Sequence, residues 1–251
     1  MYEWFFGNMD YSQVAVLALC AFMAGVNKTG VPGVGILNVP LLALVCKAKA
    51  STGLLLPLLA IADIFAVVYY RRHARWPLVL RLLPWSLAGI AVGSVIIRHI
   101  SDAQLKPVIG AIVMAMLVLS FLRNRFDRSM NIPHHWLFAA LMGVAAGLTT
   151  QMANAAGPIM VIYLLAMQLP KEEYIGTGAW YFLIVNWLKI PLFAWDGRIT
   201  FTTLRADLAM LPLVALGAWA GIVILKKLPQ KWFNIIIQAL AMAAAIHLCL
   251  S

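Results

Sequence analysis

Asn27-Lys28-Thr29-Gly30-Val31-Pro32-Gly33 interrupts an otherwise apolar run over residues 12–45. A membrane-crossing helix takes about 20 apolar residues. The run is too long for one crossing and breaks in its middle, into pieces of about 15 and 12 residues. Residues 136–168 repeat the pattern, with the break at Thr149-Thr150-Gln151-Met152-Ala153-Asn154. Each region reads as a pair of short segments, and pieces of this length are expected to be half-helices rather than full crossings. Uninterrupted runs of spanning length lie at 52–70, 77–97, 104–122, 174–194, 205–225 and 231–250. The expectation is an all-α, polytopic membrane protein with 8 to 10 membrane segments.

Composition agrees. Of 251 residues, 63% are hydrophobic and 11% charged, against about 45–50% and about 25% in ordinary soluble domains. A single soluble core of this size would have to absorb nearly all of that apolar surface, so the bilayer is the expected solvent. The formal net charge of +10 then speaks to orientation through cytoplasmic loops, and nucleic acid is not an expected partner. The N-terminal stretch from Met1 to Asp10 is acidic and no small-residue cleavage site follows the first apolar run, so no removable leader is expected. Cys20, Cys46 and Cys249 form no CxxC pair and have no His at metal spacing, which makes them packed, reduced thiols.

The chain matches itself. At an offset of 122, Gly25, Gly35, Val39 and Leu42 fall on Gly147, Gly157, Val161 and Leu164; at 123, Gly53, Asp63 and Arg75 fall on Gly176, Asn186 and Arg198. At 128, Leu83-Pro84, Gly89, Gly93 and Val95-Ile96 fall on Leu211-Pro212, Gly217, Gly221 and Val223-Ile224. The series predicts two halves, 1–129 and 130–251, forming one transmembrane domain. Two short segments and three long ones make an odd number per half, so the second half enters from the opposite side: the repeats are inverted-topology, each a broken-helix hairpin plus three long helices.

Charge tests this. With the N-terminus outside, the inside loops hold Lys28, Arg71, Arg72, Arg75, Arg123, Arg125, Asp127, Arg128, Lys171, Glu172, Glu173, Lys226, Lys227 and Lys231, a net of +8. The outside set (Glu3, Asp10, Lys47, Lys49, Arg98, Asp102, Lys106, Asp196, Arg198) nets +1, as the positive-inside rule requires. Both termini are then periplasmic. Re-entrant hairpins and full crossings give the same parity. Trp4, Trp76, Trp136, Trp195 and Trp232 fall at predicted span ends, where indoles favour the interface.

Inverted repeats with broken helices place a substrate near the midplane, so the two breaks are the first candidate site. Backbone at Gly33 and Gly35 leads into one return segment, and Gly157-Pro158 into the other; amides there can face an anion with the helix dipole assisting. Lys28, with Asn27 and Thr29, suits an anionic substrate, or else anchors at the cytoplasmic surface. Gln151 and Asn154 offer amide donors at the second break, and Asn38 is a weaker candidate of the same kind. Within the long spans the polar intruders are Asp63, Asn186 and Lys189. Asp63 is read either as a partner for Lys189 across the repeat interface or as a proton-coupling site, and Lys189 either as a functional group or as a cation snorkelling to an end. HExxH, GxSxG, Walker and Cys/His metal spacings are absent, so no enzyme, metal or cofactor is expected. Small residues on several spans serve a homodimer or packing within one chain equally well.

Met23-Ala24-Gly25 and Gly30-Val31-Pro32-Gly33-Val34-Gly35-Ile36-Leu37-Asn38-Val39-Pro40-Leu41-Leu42 resemble the glycine-rich opening of the TauE/SafE sulfite exporter family, and Gly143-Val144-Ala145-Ala146-Gly147 through Gly157-Pro158 resembles its repeat. The resemblance covers essentially the whole chain. It departs where the family usually carries a denser glycine triplet, here Pro32-Gly33-Val34-Gly35 and Ala155-Ala156-Gly157-Pro158. It implies a multi-pass protein of the bacterial inner membrane that exports sulfite or small organosulfonates such as sulfoacetate. The alternatives are a channel or proton-coupled permease for another small anion and, more distantly, a membrane scaffold that transports nothing.

Overall fold

The computed structural model describes residues 2–30, 34–125, 136–167 and 169–227. Gly33, Trp232, Cys249 and the expected span 231–250 lie outside the described residues. Ten α-helices follow in chain order: α1 Tyr2–Phe6, α2 Tyr11–Thr29, α3 Asn38–Val45, α4 Ala48–Tyr70, α5 Trp76–His99, α6 Asp102–Arg125, α7 Trp136–Ala153, α8 Gly157–Ala166, α9 Lys171–Trp195 and α10 Phe201–Lys227. Short 3-10 turns at Val34–Leu37 and Arg71–His73 complete the described elements, and no strand occurs among them. Five helices are long and apolar enough to cross a membrane: Tyr11–Thr29, Ala48–His73, Trp76–His99, Trp136–Ala153 and Phe201–Ile224. The spans expected at 104–122 and 174–194 lie inside α6 and α9, of 24 and 25 residues.

The two broken regions are asymmetric, the first limb of the first region longer than the piece of about 15 residues expected and its return limb with the 3-10 turn, Val34–Val45, matching the expected 12. The first limbs, α2 and α7, run 19 and 18 residues, whereas the return limbs α3 and α8 have 8 and 10. The polar residues that mark each break stay helical because their side chains find partners inside the protein. The Thr29 hydroxyl donates to the Ala218 carbonyl at 2.7 Å and Lys28 meets Asp63, so neither needs to leave the helix for water. The chain stops only at Gly30, with Pro32 beyond, and at Asn154, whose φ of +49° is one that Asn tolerates and most residues do not. Gln13 ties the start of α2 to the end of α3: its Oε1 accepts from the Asp10 amide (3.0 Å) and its Nε2 donates to the Val45 carbonyl (2.7 Å).

The main helix pairs join elements of the two expected halves: α2 packs on α10, α7 on α5, and α4 on α9. Glycines set the closest approaches. A Cβ at Gly25 would run into the Val214 carbonyl, and one at Gly217 into the Phe22 carbonyl. At the other pair, a Cβ at Gly147 would strike the Ser86 carbonyl and one at Gly89 the Val144 carbonyl. These small residues therefore serve packing within one chain, and lend no support to the homodimer that the sequence left open. Pro84 and Pro212 sit inside α5 and α10 at offset-matched positions, as membrane helices permit when neighbouring groups satisfy the freed carbonyls. Outward faces carry Val68, Leu80, Val92, Val95, Leu141, Leu208 and Trp219, all exposed, an apolar belt that fits acyl chains. Trp4, Trp76, Trp136 and Trp195 are exposed as well.

Candidate anion-binding site

Thr29 is clamped at the end of α2 by its hydroxyl on α10 and by the Tyr70 hydroxyl of α4, which donates to the Thr29 carbonyl at 3.0 Å. That clamp aims the preceding residue inward. The Lys28 ammonium lies 2.7 Å from Asp63 Oδ1, its side chain only 8% exposed, and 3.8 Å from the centroid of the Phe182 ring. Lys28 is thus no surface anchor. Asn186, the offset mate of Asp63, donates from Nδ2 to Asp63 Oδ2 at 2.6 Å. The expected ion pair between Asp63 and Lys189 does not form. Asp63 faces α2, and Lys28 on that helix reaches it first.

Lys189 stays fully buried and does not snorkel. Its ammonium donates to the Thr150 carbonyl (2.8 Å), Thr150 Oγ1 (2.9 Å) and Asn154 Oδ1 (2.7 Å), one acceptor for each of its three N–H groups. The other end of the Asn154 amide donates to the Thr52 carbonyl at 2.9 Å, so this one side chain joins α7, α4 and α9. At the first break the Gly35 amide donates to Asn27 Oδ1 at 3.1 Å, and a Cβ at Gly35 would collide with the Asn27 side chain.

A cavity of about 90 Å³ lies where these parts meet. Asn27, Lys28, Thr150, Asn154 and Asn186 supply its polar wall, and Gly35, Gly157 and Pro158 its backbone edges; Ile36, Leu59, Met160, Val161, Ile175 and Phe182 line the rest. Seven of the residues picked from the sequence are therefore brought together: Asn27, Lys28, Gly35, Asn154, Gly157, Pro158 and Asn186. Five others are not in the wall. Thr29 faces α10, and Gln151 donates to Ser94 Oγ at 2.8 Å. Asn38 is fully buried, with no hydrogen-bond partner for its side chain among the described residues. Lys189 stands one residue behind, through Thr150 and Asn154. Asp63 likewise acts on the cavity through Lys28 and Asn186.

The model of the family described as sulfite exporter TauE/SafE matches residues 17–248 of this 251-residue chain. The chain belongs to that family. No curated protein and no solved structure matches it. TauE/SafE proteins are membrane transporters and not enzymes, and this chain is a multi-pass membrane protein whose family moves sulfur-containing anions.

This TauE/SafE chain also holds functional candidates that its sequence hides. Thr150 sits in the second break, where the sequence singles out only Gln151 and Asn154. Arg198 reads as a loop charge, yet it is 4% exposed. Its guanidinium stacks 3.3 Å over Phe193 and donates to the Gln151 carbonyl (3.2 Å), Thr52 Oγ1 (3.5 Å) and Asp196 Oδ2 (3.2 Å). Arg98 holds the other Asp196 oxygen at 3.0 Å. Burial draws the Arg198 guanidinium down to about 10, against the pull of Asp196, so it is charged at neutral pH. The signal was Asp196-Gly197: Gly197 has φ +69°, and an Asp-Gly turn folds the next residue back onto the helix it leaves.

Proposed function

We propose that this transporter exports small sulfur oxyanions, sulfite or organosulfonates such as sulfoacetate, from a bacterial cytoplasm across the inner membrane, and that the anion binds in the cavity between α2, α8 and α9. The observation that carries this reading is the Lys28 ammonium in a cavity wall that also presents the amides of Asn27, Asn154 and Asn186. The Asn154 and Asn186 amides each use one N–H on a protein acceptor and keep a second for an oxyanion. The start of α8 borders the same space, and a Cβ at Gly157 would meet nothing within 4 Å, leaving room for a ligand oxygen near its amides.

Two inverted-topology repeats, 1–129 and 130–251, frame the site in this reading. Reciprocal packing supports them: α2 rests on α10 as α7 rests on α5. Gly53 makes room for the Arg198 carbonyl, and its mate Gly176 for the turn that ends at Arg75, the mate of Arg198. Among the described residues, surface ion pairs link charges assigned to one and the same face, Arg75 with Glu173 and Arg98 with Asp196, which supports the expected parity of the segments. An inside-negative potential favours anion export by about 2.3 kcal/mol per charge at 100 mV.

Thermal stability of the detergent-purified protein against sulfite, sulfoacetate, taurine, sulfate, thiosulfate, acetate and chloride tests the substrate class. Sulfite or organosulfonates are expected to raise the midpoint in a concentration-dependent way; shifts with carboxylates alone, or with nothing, overturn it. One observation favours a second reading, a proton-coupled permease for another anion: Asp63 is fully buried beside Lys28. Flux that follows an imposed pH gradient at zero voltage selects that reading.

A further inference from the structure

The buried groups behind the cavity do not cancel in charge. Lys28 and Asp63 form a pair at 2.7 Å. Lys189 has three oxygen acceptors, none of them a carboxylate, and an ammonium uses all three of its donors in that arrangement. Its charge is unbalanced nearby. Asp196 is engaged by Arg198 and Arg98. Among the described residues the other buried carboxylate is Asp207 on α10, and neither of its oxygens has a hydrogen-bond partner there, so it does not reach the Lys189 ammonium, which is held by Thr150 and Asn154. Nor do the remaining elements packed on α4 help. Asp102 caps the far end of that helix through the Lys49 amide, α3 carries no charge, and Arg71, Arg72 and His73 are exposed.

We propose that the cavity selects its anion by charge, taking monovalent anions ahead of dianions and zwitterions, because the cluster of Lys28, Asp63 and Lys189 holds one positive charge in excess. The proposal rests on the reading of the cavity as an anion site and narrows it. A monovalent anion between Lys28, Asn154 and Asn186 brings the buried cluster to neutrality. A dianion leaves one negative charge uncompensated inside the membrane, and a zwitterion leaves the excess positive charge in place and adds an ammonium beside Lys28. Either residue of charge is expensive in so dry a setting. Among sulfur compounds, hydrogensulfite and simple alkanesulfonates fit the cluster better than the sulfite dianion, sulfoacetate or taurine.

Titration calorimetry on the purified full-length protein, at fixed pH and ionic strength, decides it with methanesulfonate, methanedisulfonate, taurine and chloride as probes. Methanesulfonate is expected to bind at least about tenfold more tightly than methanedisulfonate, a lower bound for one unbalanced unit charge at an effective dielectric near 20. Asp63→Asn adds one positive charge with little change of shape and is expected to move that ratio about tenfold toward the dianion. Lys189→Met removes the excess and is expected to abolish discrimination between methanesulfonate and taurine. Should either variant fail to fold, the wild-type preference for methanesulfonate over methanedisulfonate decides alone. Equal affinity for the mono- and disulfonate in the wild type, or an unchanged ratio in folded Asp63→Asn, overturns the proposal. Chloride binding with the expected charge dependence, but no sulfonate binding, keeps the charge rule and removes the sulfur-oxyanion reading; no binding by any anion removes both.

Discussion

Asn186 donates a 2.6 Å hydrogen bond to one oxygen of Asp63 while Lys28 holds the other at 2.7 Å. Helices α2, α4 and α9 thus meet at a single carboxylate with no exposed surface. Removing one member of a buried pair strands the other, which is expected to cost about 3–5 kcal/mol, whereas replacing both with apolar groups is close to neutral. Asp63→Ala should therefore destabilise the protein strongly, and Lys28→Met combined with Asp63→Leu should restore most of the loss. Denaturant unfolding in detergent measures both, and equal destabilisation by the single and double variants would contradict the pairing.

Backbone contacts at the glycines make a second, graded prediction. The side chain of Gly147→Val would have to enter the Ser86 carbonyl, and neither helix backbone can yield without opening the α5–α7 crossing. Overpacking of this kind costs about 1–3 kcal/mol or more. Gly157→Ala meets open space and should leave the unfolding midpoint nearly unchanged while weakening anion binding, since the new methyl projects where a ligand would sit. Comparable loss of stability in the two variants would show that the crossing is not the constraint.

The helices were legible because apolar runs of spanning length have one common solution in a bilayer; the offset-matched glycines read in sequence as signs of a repeat, and only the fold places them at the closest crossings. Partner choice was not legible. Asp63 stands in reach of two lysines on any helix-level drawing, and only the crossing of α2 over α4 gives it to Lys28 rather than Lys189. The polar runs at 27–29 and 149–153 looked like interruptions because, in sequence, a polar residue in an apolar run has no visible partner. In the fold the Ala218 and Thr150 carbonyls and the Asp63 carboxylate supply partners to Thr29, Lys189 and Lys28, and the first limbs remain helical. Gln151 was misplaced for a related reason: on α7 it turns toward Ser94 of α5, while Asn154, three residues on and past the helix end, turns toward the cavity.

Asn154 combines a left-handed backbone with bonds to Lys189 and Thr52, and two substitutions separate these contributions. Asn154→Gly keeps the backbone conformation and loses both bonds, at about 1–3 kcal/mol for buried partners left unsatisfied. Asn154→Ala loses the bonds and adds the left-handed strain, about 1–2 kcal/mol more. Calorimetric midpoints should fall in the order wild type, Asn154→Gly, Asn154→Ala. Because Lys189 loses an acceptor in either case, anion affinity should fall in both variants, and by similar factors; a glycine variant that binds like wild type would place the role of Asn154 in the turn alone.

Arg198 and Arg75 occupy matched positions in the chain, yet one is buried and the other exposed. Arg75 binds Glu173 at the surface, whereas Arg198 joins Thr52 of α4, the Gln151 carbonyl of α7 and Asp196. With the Asn154 bond to the Thr52 carbonyl, it seals the protein beyond Lys189, on the face assigned to the periplasm. On the proposed export reading, release of an anion on that side requires this knot to loosen. Removing Arg198 should therefore expose what it covers. In a background with Cys20, Cys46 and Cys249 replaced by alanine, a Thr52→Cys probe should react slowly with a membrane-impermeant maleimide, because Thr52 has no exposed surface. Adding Arg198→Ala should raise the labelling rate at least about tenfold, the change produced by roughly 1.4 kcal/mol in the opening equilibrium. Adding Arg75→Ala instead should leave the rate unchanged, since a solvent-exposed ion pair contributes little. Equal rates in the two arginine variants would mean that the seal does not depend on Arg198.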